Sequence, residues 1–448
     1  MGDTLEKLTQ AMLEAATRAG ADAADAMAVQ GTSVSIDVRG GVLEQAERSE
    51  GVDLGLRVFV GQRQANVSVS DTSPETLTTM AERAVAMARE APEDPYIGLA
   101  DPDQITTNWD IAALEMSDPT AEPAPADLQR DACEAEAAAA AIKGVSQVQS
   151  ATAGYSNSTV HLAASNGFSG GYGRTSRAVS CVAIAGTGDR MERDFDGDGR
   201  TFQSDMRSPE DVGRVAGKRA VERLDAVQPP TGAYPVLFDE RISSSLVGHL
   251  LAAANGAMIA RGSSWLRDAL GDQVLPKTLS IIEDPFRPRV SGSRPFDAEG
   301  LATKRRTIVE NGVLTGWTLD LVNGRKLEMP STGNAARGVS SPPSPSTWNI
   351  ALTQGNKSRA GLLADMGTGL LITSLIGSTI NPNTGDYSRG AAGFWVENGA
   401  ITHAVNECTI AGNLRDMLKT LVPANDARSH LSRVVPSVLV EGLTLAGN

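Results

Sequence analysis

The residues whose types and spacing could do chemistry are densest between Asn381 and Gly399. Thr384, Asp386, Tyr387, Ser388 and Arg389 crowd between and around Gly385 and Gly390, and Phe394, Trp395 and Val396 follow. Glycines flanking a polar cluster let the backbone turn sharply and aim side chains at a cleft. Such a set could contact a peptide or a partner surface. The same Asp–Arg chemistry equally serves a buried hydrogen-bonded corner that holds a domain together. The chain has only five Trp and five Tyr, and one of each falls here.

Other candidates are weaker. A hydrolytic zinc site needs ligands projecting from one helix face, with a general base beside them. The four histidines are His161, His249, His403 and His430; none is followed by Glu, and no CxxC occurs. His249 could act as a general base, but no nucleophile or orienting acid is placed beside it, so a histidine packed between Leu246 and Leu250 is the plainer reading. Gly167-Phe168-Ser169-Gly170-Gly171 matches the nucleophile elbow, yet the residues after it alternate as a strand where a helix is required. Asp194, Asp196, Asp198 and Gly199 stand at calcium-loop spacing. Asp205 then occupies the position of the usual bidentate Glu, and the preceding residues read as a strand, so an acidic hairpin turn is expected instead. Cys408 precedes a helical pattern, and helix N-termini activate thiols; a buried structural thiol is the alternative. Walker A and Rossmann glycine patterns are both missing, so nucleotide chemistry has no support.

These residues must be positioned by a chain of 448 residues, which is longer than one core usually holds. A hydrophobic fraction of 41% with 21% charged residues is ordinary for a globular protein. The net charge of −14 argues against a nucleic-acid or anionic-membrane surface. Three widely spaced cysteines, Cys133, Cys181 and Cys408, suit a reducing cytoplasm rather than a disulfide framework. The N-terminal MGDTLEKLTQ is acidic and amphipathic, unlike a signal peptide, so a cytoplasmic location is expected.

The expected fold class is α+β. Leu5, Leu8, Met12 and Ala15 line a first helix that stops at Gly20, and residues 23–70 alternate as strands. Ser73-Pro74-Glu75 opens a second helix. Met116 to Ala126 is rich in Pro, Ala and acid and reads as a linker. The pattern then recurs: an Ala-rich helix from about Asp127 to Lys143, strands to about Ile184, and a helix opened by Ser208-Pro209-Glu210. A remote duplication of one helix–strands–helix unit is the hypothesis, and a different strand order in the two halves would reject it. The expected division is 1–115, a linker at 116–126, 127–228, and a β-rich unit at 229–448 with mixed or antiparallel sheets. In that last unit a helix is expected over Glu240–Met258 and hairpin turns at Asn311-Gly312 and Asn398-Gly399. A helix over Ala411–Leu421, a strand over Val438–Val440 and a Pro/Ser loop at Gly338–Thr347 complete it.

Four segments occur in a telling order: Gly262-Ser263-Ser264-Trp265-Leu266, then Ser293-Arg294-Pro295-Phe296-Asp297-Ala298-Glu299-Gly300, then Ser331-Thr332-Gly333-Asn334-Ala335, then Thr384 to Phe394. Together they resemble the TldD/PmbA family, and specifically its PmbA (TldE) branch, over nearly the whole chain. In that family the TldD subunit resembles a zinc metallopeptidase with an HExxxH helix and a late cysteine. With the register anchored on Gly262, the three motif positions fall on Val247, Gly248 and Ala252, none of which can bind zinc or act as a base. The late cysteine would fall near Pro436 to Val440, where there is none, and Cys408 lies too early to replace it. The resemblance therefore implies no catalytic residue and no cofactor in this chain, with zinc held by a TldD-type partner in a heterodimer. It implies unfolded or flexible peptide substrates, such as microcin precursors or a plasmid antitoxin. Thr384, Asp386, Tyr387, Ser388 and Arg389 are the candidate contact surface for peptide or partner. An independent hydrolase with an unseen site, or a homodimeric peptide-binding scaffold, are the competing classes.

Overall fold

The computed structural model describes residues 2–447, and its first half is a duplicated pattern built into one sheet. The first unit runs α1 (Gly2–Ala19), β1 (Ala23–Arg39), β2 (Val42–Val60), β3 (Arg63–Val69) and α2 (Pro74–Glu90). The second runs α3 (Pro125–Ala140), β4 (Val145–Ala164), β5 (Ser169–Ala185), β6 (Glu192–Arg200) and α4 (Pro209–Glu222). Both closing helices start alike: Ser73 and Ser208 accept from backbone N–H groups of the first turn, and proline follows each. The strand order β3-β2-β1-β4-β5-β6 is the same in each half, read outward from the centre, so the duplication passes its test of strand order. β1 and β4 pair antiparallel from Asp25↔Ala164 to Val38↔Ala151, which fuses the two halves into one sheet.

Each half carries its own layer of helices. Leu5, Met12 and Ala16 of α1 join Leu77, Met80 and Ala84 of α2 over Leu54, Leu56 and Val58. Val212, Ala216 and Ala220 of α4 pack with Ala135 and Ala139 of α3 over Ala151, Val179 and Cys181. Small residues let α3 and α4 touch backbone to backbone. A Cβ on Gly213 would lie 1.9 Å from the Ala135 carbonyl oxygen. The segment 116–126 is tied down at its start: Thr175 donates to the Met116 carbonyl, and Asp118 bridges Thr175 and Gln203.

The second half continues with β7 (Gly232–Phe238), α5 (Glu240–Ala253), α6 (Gly256–Arg261), β8 (Ile281–Glu283), β9 (Arg306–Glu310), β10 (Val313–Leu314), α7 (Leu321–Lys326), β11 (Ala335–Ala336), β12 (Ser344–Pro345), β13 (Ile350–Leu352) and α8 (Arg359–Met366). It ends with β14 (Gly369–Ile380), β15 (Asp386–Glu397), β16 (Ala400–Asn413), α9 (Leu414–Lys419), β17 (Val422–Pro423), β18 (Arg433–Val434) and β19 (Val438–Ala446). β7 and β14 pair in parallel, and the remaining neighbours run β14-β15-β16 and β7-β19. β16 pairs back onto β19 at Thr409–Ala411, so β7, β14, β15, β16 and β19 close into a barrel with no free edge in the ring. A second sheet, β10-β9-β8-β13-β18, shares its core with the barrel and with α5.

Both hairpin turns form as expected: Asn311-Gly312 and Asn398-Gly399 carry positive φ at both positions. The helix expected over Glu240–Met258 breaks. Asn255 accepts from Ala257 N–H and donates to the Pro345 carbonyl, so it caps a separate short α6. The helix expected over Ala411–Leu421 starts later, because Ala411–Asn413 stay paired in β16 and Asn413 caps α9. The last strand runs on to Ala446 through an irregularity after Val440. Asp194–Asp205 is neither a calcium loop nor a hairpin turn: its first part is strand β6. A strand's two-residue period puts Asp194, Asp196 and Asp198 on one face. There all three are buried and meet arginines: Asp194 pairs with Arg241 at 3.0 Å, and Asp196 with Arg207 at 2.7 Å and Arg219 at 2.8 Å. Asp198 pairs with Arg200 at 3.0 Å.

Candidate functional site

Strand alternation divides the polar segment before any tertiary contact acts. Tyr387 and Arg389 share one face of β15; Asp386 and Ser388 share the other. Asp386 and Arg389 therefore do not pair. Thr384 and Asp386 form an exposed corner in which the Thr384 hydroxyl donates to Asp386 at 2.6 Å. Asn413 donates to the Asp386 carboxylate at 3.0 Å and to the Thr384 carbonyl at 3.1 Å. These bonds hold the Asp386 carboxyl below its usual range. Gly385 makes the corner possible: it has φ of +82°, and Trp265 sits 3.4 Å from where its Cβ would be.

Tyr387 and Arg389 point inward, toward α5. Tyr387 is only 2% exposed and meets the His249 ring edge-on, with centroids 5.9 Å apart. The Tyr387 hydroxyl, His249 Nε2 and Arg389 Nε are all enclosed without a hydrogen-bond partner. Arg389 makes no ion pair among the described residues. Burial pushes the Tyr387 phenol up to about 12, against the pull of Arg389. Burial, then the charge of Arg389, lowers the His249 pKa, so its imidazole is neutral near pH 7. Three unsatisfied polar groups in one place are expensive for a core and useful to a ligand.

The metal-helix positions do not assemble a site. Val247 is buried in the core, Ala252 is exposed, and a Cβ on Gly248 would lie 3.1 Å from Arg433 Nη1. His249, the one donor on this turn, faces the cation of Arg389, which opposes a metal ion. Among the described residues no group of three or more His, Cys, Asp and Glu could hold a metal ion. These residues do not fit a zinc ion.

The remaining candidates resolve structurally. Gly167 makes the tight turn between β4 and β5, and no helix follows Ser169. Ser169 Oγ lies 3.5 Å from His161 Nε2, while His161 Nδ1 pairs with the Thr9 hydroxyl at 2.9 Å where a triad would need a carboxylate. Cys408 sits inside β16 rather than at a helix start. Its thiol donates to the Ala391 carbonyl at 3.2 Å, and burial raises its pKa to about 11, so it is not an activated nucleophile. His403 is exposed on β16 beside Thr402, and His430 lies 3.9 Å from Asp198, far in sequence from either.

The four signature segments act as joints. Ser264 fastens its loop to the Ala253 carbonyl at 2.6 Å. Asp297 accepts from Ala335 N–H at 3.0 Å, which ties the acidic turn to the STGN segment. Asn334 donates to Glu283 at 3.0 Å and to the Ser346 carbonyl at 2.9 Å. Glu299, buried beside Asp297 and Asp320, has one oxygen bonded to Leu321 N–H and the other without a partner. Burial, then the Asp297 charge, raises the Glu299 pKa well above normal; burial, then Asp320, raises Asp297 to about 6. The folded state thus holds these protons more tightly than the unfolded chain. Stability falls as pH rises from the ordinary carboxylate range through about 6. Glu299→Gln is expected to stabilise the fold at pH 8 by roughly 1–2 kcal/mol and to change little at pH 4. Thermal melts at both pH values check this; equal destabilisation at both would refute it.

Sequence reasoning missed one constellation that does face the junction of the two halves. Asp25 on β1 pairs with Arg57, its direct neighbour on β2, at 2.8 Å, and with Arg337 from the second half. The signal was present: Arg57 interrupts the apolar run from Leu54 to Val60, and a charge within a buried strand announces a buried partner.

Fold and site together define an α+β protein with a helix-flanked sheet, a barrel-based second half, and a helix α5 whose positions 247, 248 and 252 carry Val, Gly and Ala. Residues 24–88 match the family model described as PmbA/TldA metallopeptidase domain 1, 118–224 its central domain, and 231–447 its C-terminal domain. The chain is 36% identical to metalloprotease PmbA of Escherichia coli, over 99% of this chain and 96% of that one. It is likewise 36% identical to the PmbA homologue of Haemophilus influenzae, over 99% and 97%. A proposed modulator of DNA gyrase from Bacteroides thetaiotaomicron superposes with a TM-score of 0.91 at 26% identity, covering 99% of this chain and 98% of that one. TldE of Thermococcus kodakarensis shares the fold, with a TM-score of 0.85 at 19% identity over 98% of this chain and 100% of that one. The chain belongs to the PmbA/TldD family. No helix among the described residues is long and apolar enough to cross a membrane.

Proposed function

We propose that this chain is the metal-free subunit of a two-subunit peptidase that processes flexible peptides, paired with a TldD-type subunit that holds zinc. The observation that supports this reading is α5: Val247, Gly248 and Ala252, the positions where the resemblance puts the family's metal ligands and base, carry no donor, and a cation faces His249. The chain's role is then to close the compartment and orient the peptide. Arg389, Tyr387 and His249 offer a cation and neutral donors to a peptide carbonyl or carboxylate, with Asp386 and Ser388 on the opposite face of β15, and Thr384 in the corner before it, toward peptide or partner. The family's microcin-precursor and antitoxin substrates, and a cytoplasmic location, belong to the same reading. Metal content and peptide cleavage of the purified chain, alone and mixed with a TldD-type subunit, test it. The expected result is no stoichiometric metal and no cleavage alone, with chelator-sensitive cleavage on mixing. Zinc or cleavage in the lone chain would reverse the reading and point to the independent hydrolase.

A further inference from the structure

A cleft of about 550 Å³ lies between strands β4–β6 and two loops of the second half, around residues 287–291 and 429–432. Its size is within the roughly 300–1,000 Å³ typical of pockets for small organic ligands. Four arginines and one aspartate line it, in a protein of net charge −14. Two of those arginines are neutralised: Arg200 pairs with Asp198, and Arg289 with Glu115 and Asp205. The other two are not. Arg174 donates only to the carbonyls of Ser291 and Ser293 and to the Met116 sulfur. Its Nε is enclosed with no partner at all. Arg287 donates only to the carbonyls of Leu431 and Ser429. Neither makes an ion pair among the described residues.

Carbonyl oxygens fix the direction of a guanidinium without cancelling its charge. Burial, and then repulsion from Arg294, pulls Arg174 down to about 10, so it is still a cation at neutral pH. Strand register adds neutral donors: Ser158 stands opposite Arg174, and Ser156 opposite Ser176, on one face of the sheet. Two fixed cations without an ion pair, Arg287 answered only by the more distant charge of Asp284, form with a row of hydroxyls a cradle for oxygen anions.

We propose that this cleft is an oxyanion site, with Arg174, Arg287 and the β4–β5 serines binding the carboxylate or phosphate of a small ligand or a peptide end. It is separate from the Tyr387–Arg389 face and needs no second subunit. The test is calorimetric titration of the full chain at low and high salt with three probes: inorganic phosphate, N-acetyl-trialanine, and the amide of that tripeptide. The expected result is binding of phosphate or the free acid, weakened by salt, with no binding of the amide. Phosphate alone would assign the site to free phosphate groups; the free acid alone would assign it to peptide ends. Arg287→Met keeps the aliphatic stem and should weaken binding roughly 10-fold or more with an unchanged unfolding midpoint. Should that variant unfold, Ser158→Val, which touches neither loop tie, gives the same reading with a smaller loss. No heat from either anion at about 10 mM, or affinity unchanged in the variant that folds, would overturn the proposal.

Discussion

Asp25→Ala is expected to lower the stability of this protein by about 3–5 kcal/mol, the cost of stranding buried charge after one partner is removed. Two guanidiniums depend on that carboxylate, and both side chains are enclosed: Arg57 is 1% exposed and Arg337 0%. Burial opposes the charge on Asp25, but Arg337 and Arg57 outweigh it and hold the carboxyl below its ordinary pKa. A net folding stability of roughly 5–15 kcal/mol leaves little after such a loss. The damage should spread across the junction, because Arg337 comes from the second half of the chain. The same segment also lies on β2: a Cβ on Gly55 would fall 2.1 Å from the Val339 carbonyl oxygen. Denaturant melts of Asp25→Ala, and of a triple variant with Asp25→Leu, Arg57→Met and Arg337→Met, separate the causes. The triple variant should recover much of the loss, since an apolar triad strands no charge. If the single variant melts with the wild type, the ion triad is not what secures the junction.

Arg389→Ala is expected to do the opposite: leave stability unchanged or slightly higher while cutting peptide processing by the mixed subunits roughly 10- to 100-fold. The functional estimate is the ~1.5–3 kcal/mol of a charge-assisted hydrogen bond. Arg389 has no ion pair to lose, and removing a half-buried cation whose Nε is unpartnered relieves a desolvation cost. Stability held back at a functional site is the usual trade. A complementary Arg389→Lys variant keeps the charge and loses the planar fork, so it should recover activity only in part. Cleavage assays of the complex beside melts of the isolated chain decide it. A variant that unfolds, or one that processes peptide at the wild-type rate, would make the segment a structural corner instead.

Local order was legible in the residues themselves. The Ser-Pro-Glu starts of α2 and α4, the paired Asn-Gly hairpins and the apolar stripes each rest on neighbours in sequence, where capping, turn geometry and periodicity act. The four signature segments were likewise readable as strings. Boundaries failed where a distant group intervened. Asn255 ends α5 because the Pro345 carbonyl is there to receive it. Ala411–Asn413 remain strand because β15 and, at Ala411, β19 bond to them. Asp194–Asp205 shows the limit most sharply. Its spacing fits a cation loop, and only the arrival of Arg207, Arg219 and Arg241 turns the carboxylates into a neutralised strand face.

The sequence by itself determined the α+β class, the repeated helix–strands–helix pattern and the family. Tertiary structure alone decided which charges are cancelled. Tyr387 and Arg389 turn from Asp386 through strand parity, but they become unpaired only because α5 brings His249 and no carboxylate. Arg174 and Arg287 look like any other arginines in the chain; they become a cradle because the surrounding loops answer them with carbonyls. Capping and periodicity are short-range and written in adjacent residues. Charge compensation is long-range and is settled only when segments hundreds of residues apart meet.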